Sequence, residues 1–290
     1  MKSFPTNRFL FLNATAKTLA VLRIFVFGLC FLYVYSTPLE NLSLLPIGLF
    51  EPSGITYLAP YELLLSSGTY LYIFQLILLV LIFLSTLGVR HFNLLAITAV
   101  VGLFVFDGLV SGFSDYVSHS HFAMLYSAVI LACLPAADAL AFREKNCGIE
   151  SRDPGCYRQG AFVIAVVFTL PYMFIGARRI SQGLEIFYSD QIIRYIQVQA
   201  LAPSEFGFEL GLLLLGMPLA GLFLKLGFFI LTLFELLSPL ILVNALFRNL
   251  WLGVMVMFHF ATLLTMNIFF WENMVLLLVV FLPFIYATRE

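Results

Sequence analysis

Apolar runs of about 17 residues or more recur along this sequence, each long enough to cross the hydrocarbon core of a bilayer as a helix. In that medium a segment must satisfy its own backbone N–H and C=O groups, so only helices and closed barrels can span it. Barrel strands would show as short alternating segments, and none recur here. Charged residues make up 11% of the chain and hydrophobic ones 62%, whereas soluble domains carry about 25% charged residues. The net charge of −1 supplies no field for nucleic acid, and no heptad-bearing or basic–aromatic surface suggests such a partner. The expected fold is an all-α, polytopic integral membrane bundle surrounded by membrane lipids, a multi-pass protein of the cell membrane.

About eight transmembrane helices are expected, at 19–35, 70–88, 92–110, 121–140, 160–177, 219–243, 250–270 and 274–288. The first is too long for the apolar core of a cleaved signal peptide and lacks a small-residue cleavage site, so it reads as a retained helix. The apolar stretch 209–224, with Pro218 and several glycines, fits a re-entrant or interfacial helix, or an early start to the sixth segment. No separate soluble domain, repeat or low-complexity tract breaks the chain, which reads as one transmembrane domain over 1–290.

Loop charges set the orientation, because cytoplasmic loops collect Lys and Arg near membrane ends. One side gathers Lys2, Arg8, Lys17, Arg90, Arg143, Lys145, Arg152, Arg158, Arg248 and Arg289, the other only Arg178, Arg179 and Arg194. Both termini are therefore expected in the cytoplasm. Residues 36–69, with four prolines, three glutamates and no base, read as an outer cap. Within 178–208, Ile180, Leu184, Phe187 and Ile192 suggest a short amphipathic helix at the interface. Cys30 and Cys133 sit in apolar runs, and Cys147 and Cys156 share a loop with neither CxxC nor zinc spacing; all four read as free thiols.

Two residues stand out against this background. Glu235 and His259 lie inside segments that otherwise suit lipid, where an ionisable side chain costs at least about 2.5 kcal/mol and is by default a functional hypothesis. Glu235 is about 14 Å into the sixth segment counted from Leu226, at 1.5 Å per residue. His259 lies at a similar depth from Leu250 in the seventh, so the two can meet near the midplane. Thr262 and Met266 share the face of His259, and Asn267, Trp271, Glu272 and Asn273 continue outward. Asp107, Asp115, His119, His121, Arg178 and Arg179 also fall toward the outer side, as an outward-facing polar cavity requires. There an acid, bases and histidines could tune one another for proton transfer. Each also has a plain structural reading: Glu235 and His259 as satisfied core groups, His121 as a helix-start residue, Asp107 and Asp115 as groups near the water and simply solvated, the arginines as headgroup anchors, Trp271 as part of an aromatic belt. No HExxH, GxSxG or phosphate-binding Gly-rich loop is present, and HxH spacing at His119 and His121 is too common to name a metal site.

Three segments carry a family resemblance. HSHFAMLYSAVILACLPAADALAF resembles the H-x-x-x-L … P-A-D helix of the HTTM domain, the membrane domain shared with vitamin K-dependent γ-carboxylases. PYMFIGARRI resembles that family's Y-x-x-AG-x-x-K segment, and FELLSPLILV with VMVMFHFATLLTMNIFFWEN resembles its E-L-x-x-P … FH … F-x-x-N close. The three occur in order and cover most of the chain from LRIFVFG onward. In length and in lacking appended domains the chain resembles the SdpB-like branch, small proteins of the bacterial inner membrane associated with production of a secreted antimicrobial peptide.

The resemblance implies a scaffold that handles a quinone-like lipid or an exported peptide, with Glu235, His259 and His121 as catalytic candidates. Arg178, Arg179, Thr262, Asn267, Trp271 and Asn273 are the substrate-binding candidates, with no metal. A quinone-like molecule is the one cofactor it brings in. It also implies a lysine base, but the matching position holds Arg179, and a guanidinium stays protonated in proteins. Carboxylation is therefore weakened, enzymatic activity is left open, and Arg179 reads as an anion binder. Two other classes stand beside this one: a proton-coupled transporter using Glu235 and His259 as a relay, and a non-catalytic accessory or immunity protein of a peptide toxin system. An inverted repeat would favour transport, and none is visible.

Overall fold

The computed structural model describes residues 14–52, 54–113, 121–142, 154–182, 190–201, 207–208 and 210–286. Among these every regular element is helical. The helices are α1 (Ala16–Ser36), α2 (Tyr61–Leu65), α3 (Gly68–Leu87), α4 (Phe92–Ser111), α5 (Phe122–Cys133), α6 (Pro154–Ser181), α7 (Gln191–Leu201), α8 (Leu210–Leu215), α9 (Ala220–Leu236), α10 (Ala245–Met266) and α11 (Trp271–Tyr286). Short 3-10 turns fill Leu39–Leu44, Ile47–Leu49, Gly54–Leu58 and Ser238–Leu242. Five helices are long and apolar enough to cross a membrane: α1, α3, α4, α6 from Gly155, and α10. They point to a multi-pass helical membrane protein.

Helix ends differ from the expected segments where proline or capping intervenes. The stretch expected at 121–140 is helical only to Cys133, because Pro135 cannot continue the ladder and the chain turns through Ala136–Leu140. The stretch expected at 219–243 stops at Leu236 ahead of Pro239 and continues as the 3-10 turn. Within 209–224, α8 ends before a turn at Gly216–Leu219, and α9 starts afresh. Leu184 and Phe187 of the expected amphipathic helix lie outside the described residues; Ile192 falls on α7 and Ile180 in the last turn of α6.

The chain divides into two compact units, with the break inside α6 between Ile164 and Ala165. In the first unit α1 packs on α3 and α5, and α4 packs on α3 and α5. Arg23, wholly buried in α1, replaces the lost helix of residues 134–140 by capping carbonyls. Its Nη1 donates to Ala136 O at 2.8 Å and its Nη2 to Leu140 O at 2.6 Å. Asn93 does likewise, its Nδ2 donating to Ala132 O at 2.8 Å. Cys30, Cys133 and Cys156 are free thiols, and Cys147 lies outside the described residues.

In the second unit α10 packs on α11, α7, α8 and the 238–242 turn, and α9 packs on α7 and α10. Asn244 caps α10, its Oδ1 accepting Phe247 N–H at 3.0 Å. At the other end Asn267 takes the left-handed conformation, φ 56°, which Asn tolerates better than most residues.

Candidate functional site

In the second unit, α6 brings Tyr172, Gly176 and Arg179 onto one face, because positions four and seven residues on recur on the same side of a helix. Gly176 sets the separation from α9: a Cβ there would lie 2.5 Å from Leu236 N and 3.0 Å from Thr232 O. That approach seats Arg179 Nη1 against Glu235 Oε2 in an ion pair. Glu235 is 2% exposed, and Arg179 is the cation paired with its carboxylate among the described residues. Arg179 is half-buried, with its guanidinium carbon 4.7 Å from the centre of the Phe228 ring, where a cation is attracted to the aromatic face.

One helical stretch away on α6, the Tyr172 hydroxyl lies 3.3 Å from His259 Nε2. Tyr172 and Arg179 stand two turns apart on the same face of α6, so both pairs lie along that face. His259 is 3% exposed, and its Nδ1 is buried with no hydrogen-bond partner among the described residues. An unsatisfied buried polar atom costs about 1–3 kcal/mol; such an atom marks where another polar group can be received. The surroundings are aromatic. Trp251 stands edge-on to Tyr172 at 5.4 Å and to Phe281 at 5.8 Å, and Phe270 is edge-on to the imidazole at 5.9 Å. Trp251 Nε1 is satisfied by Phe234 O at 3.0 Å, which ties α10 to the turn of α9 that carries Glu235.

Glu235 and His259 are thus both buried and both held by α6, each bonded to that helix rather than to the other. Thr262 is buried beside His259 and donates to its carbonyl oxygen at 2.9 Å. Arg178 is exposed. Asn267 is spent on structure: its side chain accepts from Phe208 N at 2.8 Å and donates to Phe208 O at 2.9 Å. Trp271 and Asn273 are half-buried in the first turn of α11.

His121 falls in the first unit, at the start of α5. Its Nδ1 is 3.3 Å from Asp107 Oδ1, which also accepts the Tyr33 hydroxyl at 3.0 Å, and its ring lies 3.9 Å from that of Tyr33. Asp107, expected to be solvated, is therefore held by two partners. Asp115 and His119 lie outside the described residues. Among the described residues no three His, Cys, Asp or Glu side chains gather where they could hold a metal ion.

Tyr172 was missed by sequence reasoning, since a tyrosine in an apolar helix reads as packing. The signal was its register with Gly176 and Arg179. Searches found no family model, no curated protein and no solved structure that matches this chain.

Proposed function

We propose that this chain is a multi-pass cell-membrane protein of the HTTM type that exchanges a proton with a lipid-soluble substrate beside the Arg179–Glu235 and Tyr172–His259 pairs. In this reading eight segments cross the bilayer, both termini are cytoplasmic, and the Arg179 end of α6 lies on the outer side. The observation that carries it is that two ionisable side chains from different helices, each buried, are engaged by one face of α6. Carrying such groups in lipid is expensive, and packing alone would be served by apolar residues of similar size.

The roles follow from the donor and acceptor inventory. A guanidinium is no base, so Arg179 compensates Glu235. His259 is the group able to accept or give a proton, because neutral imidazole carries one donor and one acceptor nitrogen. With Nε2 engaged by Tyr172, the open Nδ1 is the end that meets substrate. A proton taken up there makes the ring a cation, and the same nitrogen can hand it back to substrate. The aromatic walls of Trp251, Tyr172 and Phe270 suit a flat, lipid-soluble molecule with an ionisable oxygen, such as a quinone in its hydroquinone form.

The test compares small molecules and exported peptides between a wild-type and a deletion strain, then asks which variants restore the difference. Glu235→Gln, His259→Ala and Tyr172→Phe are expected to reach the membrane at wild-type abundance and fail to restore it. Full restoration by His259→Ala, or parallel loss of abundance and product in all three, overturns the reading.

A further inference from the structure

The connection between α1 and α3 presents large apolar side chains in a segment too irregular to span a bilayer. Leu44 is 80% exposed and Leu58 87%, and Ile47, Leu49, Tyr57 and Leu63 are exposed beside them in sequence. We infer that this cap lies in the headgroup–acyl boundary of the membrane, with these six side chains dipped into lipid. The inference rests on the membrane-spanning reading above.

These side chains are not exposed because the cap is loose. Its other face is fastened to the first unit: Phe50 is buried, with ring centres 5.1 Å from both Tyr61 and Phe113, and Glu51 N–H donates to Gly112 O at 2.8 Å. A Cβ on Gly112 would lie 2.2 Å from the Phe50 ring, so the fit is close. At the α3 end, Gln75 Nε2 holds Val34 O at 2.6 Å and Thr37 O at 2.8 Å. The leucines are therefore held on an outer face.

The backbone is prepared for a medium poor in water. Leu45, Leu49, Phe50, Ala59, Leu64 and Ser66 each donate to a carbonyl three or four residues back, and Pro38, Pro46, Pro52 and Pro60 have no N–H to leave unsatisfied. An irregular chain with free backbone groups is barred from hydrocarbon; this one has reduced that penalty. Flanking the cap in sequence, Tyr35 at the end of α1 and Tyr70 and Tyr72 at the start of α3 are exposed as well, and tyrosine favours the membrane–water boundary. The charges fix the depth and the kind of lipid contact. Glu40, Glu51 and Glu62 are exposed and residues 36–69 contain no Lys or Arg. The cap therefore sits shallow, carboxylates in water, and binds by burying apolar surface rather than by attracting anionic headgroups.

The full-length protein, with Cys133, Cys147 and Cys156 replaced by serine and Cys30 buried, would receive a fluorophore at Leu44→Cys, Leu58→Cys or, as a mid-helix reference, Leu76→Cys. Quenching in phosphatidylcholine vesicles is compared between lipids brominated near the top of the acyl chain and aqueous iodide. At both cap positions the brominated lipid is expected to quench at least about twofold more than iodide, and adding anionic lipid is expected to change nothing. The inference is overturned if iodide quenches more, which puts the cap in water. It is overturned equally if neither quencher reaches the probe, which means another protein surface covers it. Two positions on separate turns keep the test alive if one variant misfolds. The reference separates the two readings. Lipid quenching at Leu76→Cys without quenching at the cap defeats this inference alone, whereas its absence at Leu76→Cys defeats the membrane reading and the cap with it.

Discussion

Glu235 and Arg179 are unequal members of their pair, and that inequality can be measured. Removing one partner of a buried ion pair costs about 3–5 kcal/mol, because the other charge is stranded. The side chain of Glu235 is 3% exposed and that of Arg179 is 23%, so a stranded arginine can turn toward water or headgroups while a stranded carboxylate cannot. Arg179→Ala is expected to lose about 3 kcal/mol or more. Glu235→Gln, which keeps an acceptor, should lose about 1–2 kcal/mol, and the double variant should regain most of the first loss. Thermal unfolding in detergent compares the three; equal losses in the single variants would mean Arg179 is as confined as Glu235. Arg23 makes a parallel case in the first unit. Its fork bonds Ala136 O and Leu140 O, and a lysine ammonium cannot reach both with the same geometry. Arg23→Lys should therefore cost about 1.5–3 kcal/mol, the worth of one charged hydrogen bond. Gly88→Ala should do comparable harm, because its Cβ would lie 2.3 Å from Arg23 Nη1 and its φ is +67°, and the same unfolding assay reads it.

Between elements, the decisive contact is α6 against α9. Gly176→Ala would push a Cβ into the backbone at Leu236, where neither side can yield by rotating a side chain. Overpacking of this kind costs about 1–3 kcal/mol, and here it also draws Arg179 away from Glu235. The variant should lose stability and fail to restore the product of the deletion strain. Gly227→Ala, where a Cβ meets nothing within 4 Å, should stay within about 1 kcal/mol of wild type and gain helix propensity. A second contact, α7 against α9, carries a pH signature. Lys225 Nζ lies 2.8 Å from Asp190 Oδ1, and its hydrogen bond and charge hold that carboxyl below its ordinary value. A lowered folded value means the contribution is complete above the unfolded pKa, about 3.9, and fades as pH falls through the folded one. Hydrogen exchange across α7, corrected for intrinsic rates, should be level from pH 7 to 5 and rise below about 4, with Lys225→Ala abolishing the change.

These elements also show how far the sequence could be read. The long apolar runs were plain because insertion into lipid depends on composition summed over a segment, and Glu235 and His259 stood out because ionisable groups are costly there. What they bond to was not plain. Arg179 read as an anion binder for substrate, and it is the counter-charge of Glu235; Asp107 read as solvated, and it joins His121 to Tyr33. Such partners lie far apart in the chain and come together through packing, which periodicity does not encode. The ends of α5 and α9 were overrun for a related reason: Pro135 and Pro239 were visible, but the turns that follow them are held by Arg23 and by Ser238, whose Oγ donates to Thr169 O at 3.0 Å.

At the scale of the whole chain, orientation rests on the distribution of its bases. Arg143, Lys145 and Arg152 fall in the sequence between α5 and α6, Arg158 follows near the start of α6, and residues 36–69 contain no Lys or Arg. Retention of Lys and Arg on the cytoplasmic side acts on short loops near membrane ends, and Asp and Glu contribute little to it. A reporter active only outside the cytoplasm should therefore be silent when fused after residue 150 and active when fused after residue 45. Glu40→Lys, Glu51→Lys and Glu62→Lys together place three bases in a connection that has none, while leaving every apolar segment intact. Because the rule weighs added positive charge rather than lost negative charge, this triple variant should produce a mixed population in which part of the 45 fusion falls silent. Glu40→Gln, Glu51→Gln and Glu62→Gln together should leave the orientation unchanged. An active 150 fusion in the unmodified chain would invert the topology, placing Arg179 and the open nitrogen of His259 toward the cytoplasm.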